Sequence, residues 1–233
     1  MDKDVVLSVA GNLCCVSLDI PEEWRRDVVD SMLFARLYAD SNADRFSASQ
    51  EWYKCQSDAM SQLKWGVSSN KSSTFQPSEN SSFLLKSLIE DKMGLSALAN
   101  SPLAKQLQHL FRSVQQVEGE QIVASLPDIY SLVHRRDTGI STISTVVAQV
   151  SLVGKGPVLY TAFVSFKTTE EVRTDFFSQK FSGELVLGEV VIIVAQLVLN
   201  KARYEQFRIR EKVISSLPEA EGHLVLLSPG AEE

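Results

Sequence analysis

The stretch 184–199, ELVLGEVVIIVAQLVL, constrains the fold more than any other part of this chain. Its apolar residues do not alternate with polar ones, so a strand formed here is apolar on both faces and needs a cover on each side. A spanning helix is excluded, because Leu185 to Leu199 contains Glu189 and Gln196, whereas such a helix needs roughly eighteen or more residues with few charges.

Just upstream, from Ile140, the hydrophobic period falls from about 3.6 to 2. In STVVAQVSLVGKGPVLYTAFVSFKT, Val146, Ala148, Val150 and Leu152 alternate with Thr145, Val147, Gln149 and Ser151. Beyond the turn GKGP, the series Val158, Tyr160, Ala162, Val164 and Phe166 continues the pattern, as in a β-hairpin. Residues 172–181 (VRTDFFSQKF) suggest a third strand. The segment 201–217 carries Tyr204, Phe207, Val213 and Leu217 at helical spacing and closes the fold. After Pro218 the tail is short, and its end SPGAEE is expected to fray.

The first half is helical in period. Residues 4–20 read as strand, turn at Gly11-Asn12, and strand. Pro21, Glu22 and Glu23 then open a helix that runs to about Asp40. A second helix fits Ser49 to Trp65, with Trp52, Gln56, Ala59 and Leu63 recurring on one side. From Lys64 to Ser82 the chain is polar and serine-rich, a loop or a ragged edge strand. A third helix is expected from about Ser81 to Met93, ended by Gly94 in the left-handed conformation. The fourth opens at Ser101-Pro102 and carries Leu103, Leu107, Leu110, Phe111 and Val114. Residues 120–134 fit a short helix broken at Pro127, or a strand. The expected fold is α+β, a single domain over 1–233 that is helix-rich at 21–134, an antiparallel sheet at 140–200 and a closing helix at 201–217. Helices before and after the sheet make it an α/β/α sandwich, with helices covering an antiparallel β-sheet.

Composition narrows the function by exclusion. Apolar residues make up 44% and charged residues 22%, an ordinary globular mix. The net charge of -6 comes without a basic block, which argues against nucleic acid as a partner. The start, MDKDVVLSVAGNLCC, lacks the basic and apolar segments of a secretory signal, so a cytoplasmic protein is expected, with release to act on other cells left open. Cys14, Cys15 and Cys55 are odd in number and partly adjacent, and read as reduced, buried apolar residues rather than a redox pair.

No GxGxxG, GxxxxGK, HExxH, CxxC or GxSxG occurs. His109, His134 and His223 match no ligand spacing and read as surface or core histidines rather than a zinc site. The neighbours Glu22 and Glu23, like Glu170 and Glu171, point in different directions and read as solvated charges. The run His134-Arg135-Arg136-Asp137 reads as a loop charge cluster, with a lipid phosphate or an acidic protein surface as the alternative ligand. Trp24, Trp52 and Trp65 are taken as packing anchors rather than an exposed platform. Without a catalytic, cofactor-binding or metal-ligating set, no enzyme activity and no cofactor are expected.

The order strand, helices, alternating hairpin, long strand, closing helix, with KGPVLYTAFVSFKT and TDFFSQKF inside residues 145–217, resembles the Cyt-type cytolysins, which are insecticidal pore-forming proteins. That resemblance implies a toxin-like protein converting from a soluble form, in which helices at 21–40, 81–93 and 102–116 move aside and strands at 145–153, 158–166 and 185–199 reach a bilayer. It singles out Val146, Val150, Leu152, Tyr160, Val164, Phe166, Val191, Ile193 and Leu197 as membrane-active, and implies a target-cell lipid membrane and further copies of the chain as partners. A second reading, a cytoplasmic interaction or self-assembly module, treats the same sheet as structural core. The block RLYADSNADRFSASQEWYKCQSDAMSQLKWGV, with its Asp-Arg-Phe, Trp-Tyr and Leu-x-Trp, resembles a pattern in uncharacterised bacterial proteins to which no activity attaches.

Overall fold

The computed structural model describes residues 4–116, 133–137, 142–173, 175–215, 217–218 and 223–228. Val5–Val9 (β1) and Asn12–Val16 (β2) pair across a tight turn in which Ala10 and Gly11 take φ of 46° and 81°; such turns require the left-handed region at both positions. Pro21 precedes α1 (Glu22–Asn42), with Glu22 and Glu23 in its first turn, where negative charge is favoured. α2 (Ser49–Gln62) stops short of Trp65, because Lys64 takes φ 70° and turns the chain into β3 (Trp65–Phe75). The serine-rich segment is thus largely strand.

β4 (Ser82–Leu84) displaces the start of α3 (Leu85–Lys92), and Gly94 follows that helix at φ 71°. Ser101 caps α4 (Pro102–Gln116), its hydroxyl accepting from the Ala104 amide at 3.2 Å. β5 (Val133–Asp137), β6 (Thr142–Gly154), β7 (Val158–Thr168), β8 (Lys180–Ser182), β9 (Val186–Leu199), α5 (Lys201–Gln206), α6 (Ile209–Ile214) and β10 (Leu224–Ser228) complete the described elements. Of the element expected at 120–134, residues 120–132 lie outside the described ones, and Val133 and His134 open β5.

Several expectations are corrected. Residues 172–181 are mostly not strand: Asp175–Ser178 form a turn that buries Phe176 and Phe177, and only Lys180–Ser182 pairs, with β4. The closing helix is two short ones, broken where Arg208 takes φ 52°. Beyond Pro218 the chain also forms β10, which pairs with β1 through register partners such as Val9 and Leu224, while the rest of SPGAEE after Ser228 lies outside the described residues. His134 to Asp137 belong to β5 rather than to a loop.

The main sheet runs β10-β1-β2-β6-β7-β9-β3, with β5 also on β6. Every pairing is antiparallel except β2 with β6, which is parallel, so the expected antiparallel sheet is a mixed one. Helices cover both sides. On the front face α3 and α4 pack Leu85, Ile89, Leu107, Leu110 and Phe111 into one core. Val28, Met32 and Leu33 of α1, Met60 of α2, Tyr204 of α5 and Val213 of α6 fill the back.

Candidate functional site

β6 and β7 differ between their two faces in a way that an ordinary buried sheet does not require. On the front, Val146, Ala148, Val150 and Leu152 lie opposite Phe166, Val164, Ala162 and Tyr160, an apolar series broken only by the tyrosine hydroxyl. The back carries Thr145, Val147, Gln149, Ser151 and Val153 opposite Lys167, Ser165, Phe163, Thr161 and Leu159. Thr145, Gln149, Ser151, Thr161 and Ser165 are all buried. They satisfy one another in part: Gln149 Nε2 donates to Thr161 Oγ1 at 3.3 Å, Ser151 Oγ to Asn12 Oδ1 at 3.1 Å, and Ser49 Oγ to Ser165 Oγ at 3.1 Å. Gln149 Oε1 has no partner among the described residues, beside a cavity of ≈ 30 Å³ that Tyr53, Gln56 and Thr161 also line. A buried amide oxygen left so is costly.

Over this polar belt sits a clasp built by α1, α2 and the loop between them. Asp40 accepts from Arg36 Nε and from Trp52 Nε1, both at 2.7 Å. The Arg36 and Arg45 guanidinium groups lie 4.9 and 5.4 Å from the Trp52 ring, within the range of cation–π attraction. Trp52 and Tyr53 meet Phe163 of β7 at 6.2 and 4.8 Å, and burial pushes the Tyr53 hydroxyl up to about 12. Asp-Arg-Phe and Trp-Tyr are therefore the parts of this clasp. Further along α1, fully buried Asp27 accepts two hydrogen bonds of 2.6 Å from Arg210 of α6, which Glu23 also meets at 2.5 Å. The Asp27 carboxylate holds the Arg210 proton more tightly than usual.

The front cover is aromatic at its lower end. Phe83 contacts Phe166 and Phe181 at 5.4 and 5.7 Å, and Phe111 of α4 meets Phe177 at 5.2 Å.

Of the nine residues singled out from sequence, Val146, Val150, Leu152, Tyr160, Val164 and Phe166 converge on the front face. Val191, Ile193 and Leu197 point to the back, opposite Ser165, Phe163 and Leu159. The front of β9 is instead Val190, Ile192 and Val194, missed because a strand apolar on both faces carries no parity signal. Gln149 and Thr161 were visible as the polar half of the alternation, whereas Arg45 had no signal beyond its place in the Asp-Arg-Phe run.

Trp52 and Trp65 are buried anchors; Trp24 is half-buried, with the Lys201 ammonium 4.2 Å from its ring. Cys14 and Cys15 are buried free thiols, pushed up by burial, and Cys55 is half-buried. His109 makes a 3.0 Å hydrogen bond with the Asp4 carbonyl. Among the described residues, no three His, Cys, Asp or Glu side chains are grouped to hold a metal ion. Glu170 is not simply solvated, since it accepts from the Ser182 amide at 3.0 Å and from Gln179 at 3.3 Å. No described helix is long and apolar enough to cross a membrane.

These features define an α+β protein whose central hairpin lies between two helical covers. No protein-family model matches the sequence, and no curated protein matches it. Among solved structures, the chain is similar to a delta-endotoxin, with 8% identity over 80% of each chain and a TM-score of 0.44. It is similar also to the activated Cyt2Ba monomer from Bacillus thuringiensis subsp. israelensis, at 8% identity over 80% of this chain and 96% of the other, with a TM-score of 0.43. A third likeness is to the Evf virulence factor, at 8% identity over 92% and 83%, with a TM-score of 0.39. Cyt-type proteins, which the sequence resembles, are thus among these structural neighbours.

Proposed function

We propose that this protein is a non-enzymatic, toxin-like pore-forming or membrane-perturbing protein that converts from a soluble form, the helix-covered sheet, using β6, β7 and β9 as crossing strands. The observation that carries the reading is the contrast between the faces of the β6–β7 hairpin. A membrane-spanning strand alternates an apolar, lipid-facing row with a polar, lumen-facing row. Here the row Val146 to Leu152 with Ala162 to Phe166 is apolar, and its counterpart carries Thr145, Gln149, Ser151, Thr161 and Ser165. A sheet destined only for burial under helices gains nothing from five polar residues on one face. The strands have 13, 11 and 14 residues, enough for the roughly nine to eleven that a tilted strand needs. In this reading α3 and α4 leave the front face, and Val190, Ile192 and Val194 join it against lipid.

Calcein release from liposomes, measured with sizing chromatography before and after limited trypsin treatment, tests the proposal. Leakage accompanied by a large species is expected. The double variant Gln149→Leu/Thr161→Val is expected to stay folded yet leak less, because its back face no longer lines a wet lumen. Absence of leakage from every lipid mixture would sink the reading.

Self-assembly is the second reading, favoured by β3. Among the described residues that strand hydrogen-bonds to β9 on one side only, is 11 residues long and is exposed over most of its length, and a long open edge is a template for another strand. Sizing chromatography without lipid tests it: a stable dimer or larger species is expected, and a strict monomer counts against it.

A further inference from the structure

We propose that the groove between α4 and the β6–β7 turn is a docking site for the phosphate of an anionic phospholipid headgroup; this rests on the membrane reading above and adds the lipid class and the point of first contact. The groove measures ≈ 910 Å³, which falls within the range of sites that hold small organic ligands. Lys105, His109 and Arg112 line one wall, at spacings of four and three residues that place them on one face of α4. Lys155, exposed in the hairpin turn, stands at the other end. The chain as a whole is acidic, at -6, so this is a local reversal of sign.

Two carboxylates also line the groove, and both are engaged. Asp19 pairs with Lys155 at 3.1 Å, and Asp4 Oδ1 accepts from the Leu18 amide at 3.4 Å. Lys105 and Arg112 have no carboxylate partner among the described residues. Glu90 lies with Lys86 and Arg112 in the adjoining depression without pairing to either. An arginine and a lysine on one helix face, free to accept a phosphate, favour an anion over a cation or an apolar guest. Tyr160 and half-buried Leu103 form the apolar part of the groove. Tyrosine beside basic side chains is the composition found where protein meets the headgroup layer of a membrane. The placement joins chemistry to movement: α4 is the cover that must leave the front face, and the turn is the tip of the hairpin that must enter. A headgroup held between them loads the hinge of that change.

The test is co-sedimentation of the full chain with vesicles of phosphatidylcholine alone and of phosphatidylcholine mixed with phosphatidylserine, with calorimetric titration of glycerol 3-phosphate as the soluble arm. Binding to the mixed vesicles is expected, weakened roughly twenty-five-fold in Lys105→Gln/Arg112→Gln if each cation contributes about fivefold. Lys71→Gln, which removes one exposed charge on β3 away from the groove, should bind as the parent does. Equal binding by the double variant and the parent overturns the site, and so does binding of glycerol 3-phosphate without binding of vesicles. Both substituted side chains are exposed, so thermal melts should coincide and exclude misfolding. Leakage recorded on the same samples separates the two ideas. Groove-dependent binding without leakage supports this site and removes the pore-forming reading; leakage indifferent to the double variant does the reverse.

Discussion

Arg45 donates from Nη2 to the carbonyl of Val147 at 3.0 Å, and both residues are buried. On that side of β6, β5 pairs as far as Val146 and β2 begins at Val150, so Val147 to Gln149 have no strand neighbour there among the described residues. A loop arginine therefore bonds to β6 in the gap between the described strands β5 and β2, and at the same time pins the α1–α2 clasp to the hairpin. Arg45→Met keeps much of the stem packing but leaves the carbonyl unpaired, and should cost about 1–3 kcal/mol. Urea unfolding measures this directly. The same variant should release dye from liposomes at lower protein concentration if the clasp restrains the hairpin.

Asp27 is the second fixture of the back cover. Its carboxylate is fully buried and binds Arg210 through both oxygens. Asp27→Asn removes the charge and one of the two acceptor oxygens facing Arg210; breaking a fully buried pair costs about 3–5 kcal/mol, and the partial exposure of Arg210 puts the expected loss below that range. Hydrogen exchange should show Lys201–Gln206 and Ile209–Ile214 losing protection before the sheet does. Unchanged exchange in those helices would mean that packing of Tyr204 and Val213, rather than the ion pair, holds them.

Asp30 gives a pH dependence with a definite sign. Burial first, then the charge of Asp27, raises its carboxyl above the usual aspartate range. Between the unfolded and the raised folded value the native state binds more protons, so this group's contribution to stability falls as pH rises through that window. Asp30→Asn should remove that slope and leave a more stable protein at neutral pH. Melting temperatures of the two proteins, compared from below the carboxylate range to pH 7, should converge at the acid end and separate above it.

The parts of the fold that could be read in the sequence are those whose own pattern repeats. The hairpin was legible because Val146 to Phe166 alternate, and α4 because Ser101-Pro102 announces a cap before a regular leucine stripe. β3 was ambiguous because WGVSSNKSSTF is poor in strand formers and is held by its ladder to β9. Phe176 and Phe177 suggested a strand, yet they are buried from a turn, where aromatic content carries no period. The parallel pairing of β2 with β6 joins Leu13 to Val150 across the whole helical half, and no local signal encodes such a partner. At the candidate site the alternation of β6 and β7 marked their front row, the three β9 residues named from sequence fall on the back, and the place of Gln149 and Thr161 appears only once α2 is seen to cover them.

The adjacent cysteines report on the two faces separately. Cys14 pairs in register with Ser151 and packs on the back, its sulfur 3.9 Å from that of Met32 in α1. Cys15 pairs with Leu152 and packs on the front in the core that α4 covers. Burial pushes both thiols up and leaves little thiolate to react. In a Cys55→Ser background, neither should react with a maleimide in the native protein, and both should react in urea. Added to leaking liposomes, the Cys14→Ser form should label early through Cys15 if α4 is the cover that lifts, while the Cys15→Ser form stays protected by α1. The reverse order would assign the movement to the α1–α2 clasp, making the polar row the first to be uncovered. Leakage with neither thiol labelled would mean that the sheet stays covered at β2 and the hairpin opens from its Lys155 end alone.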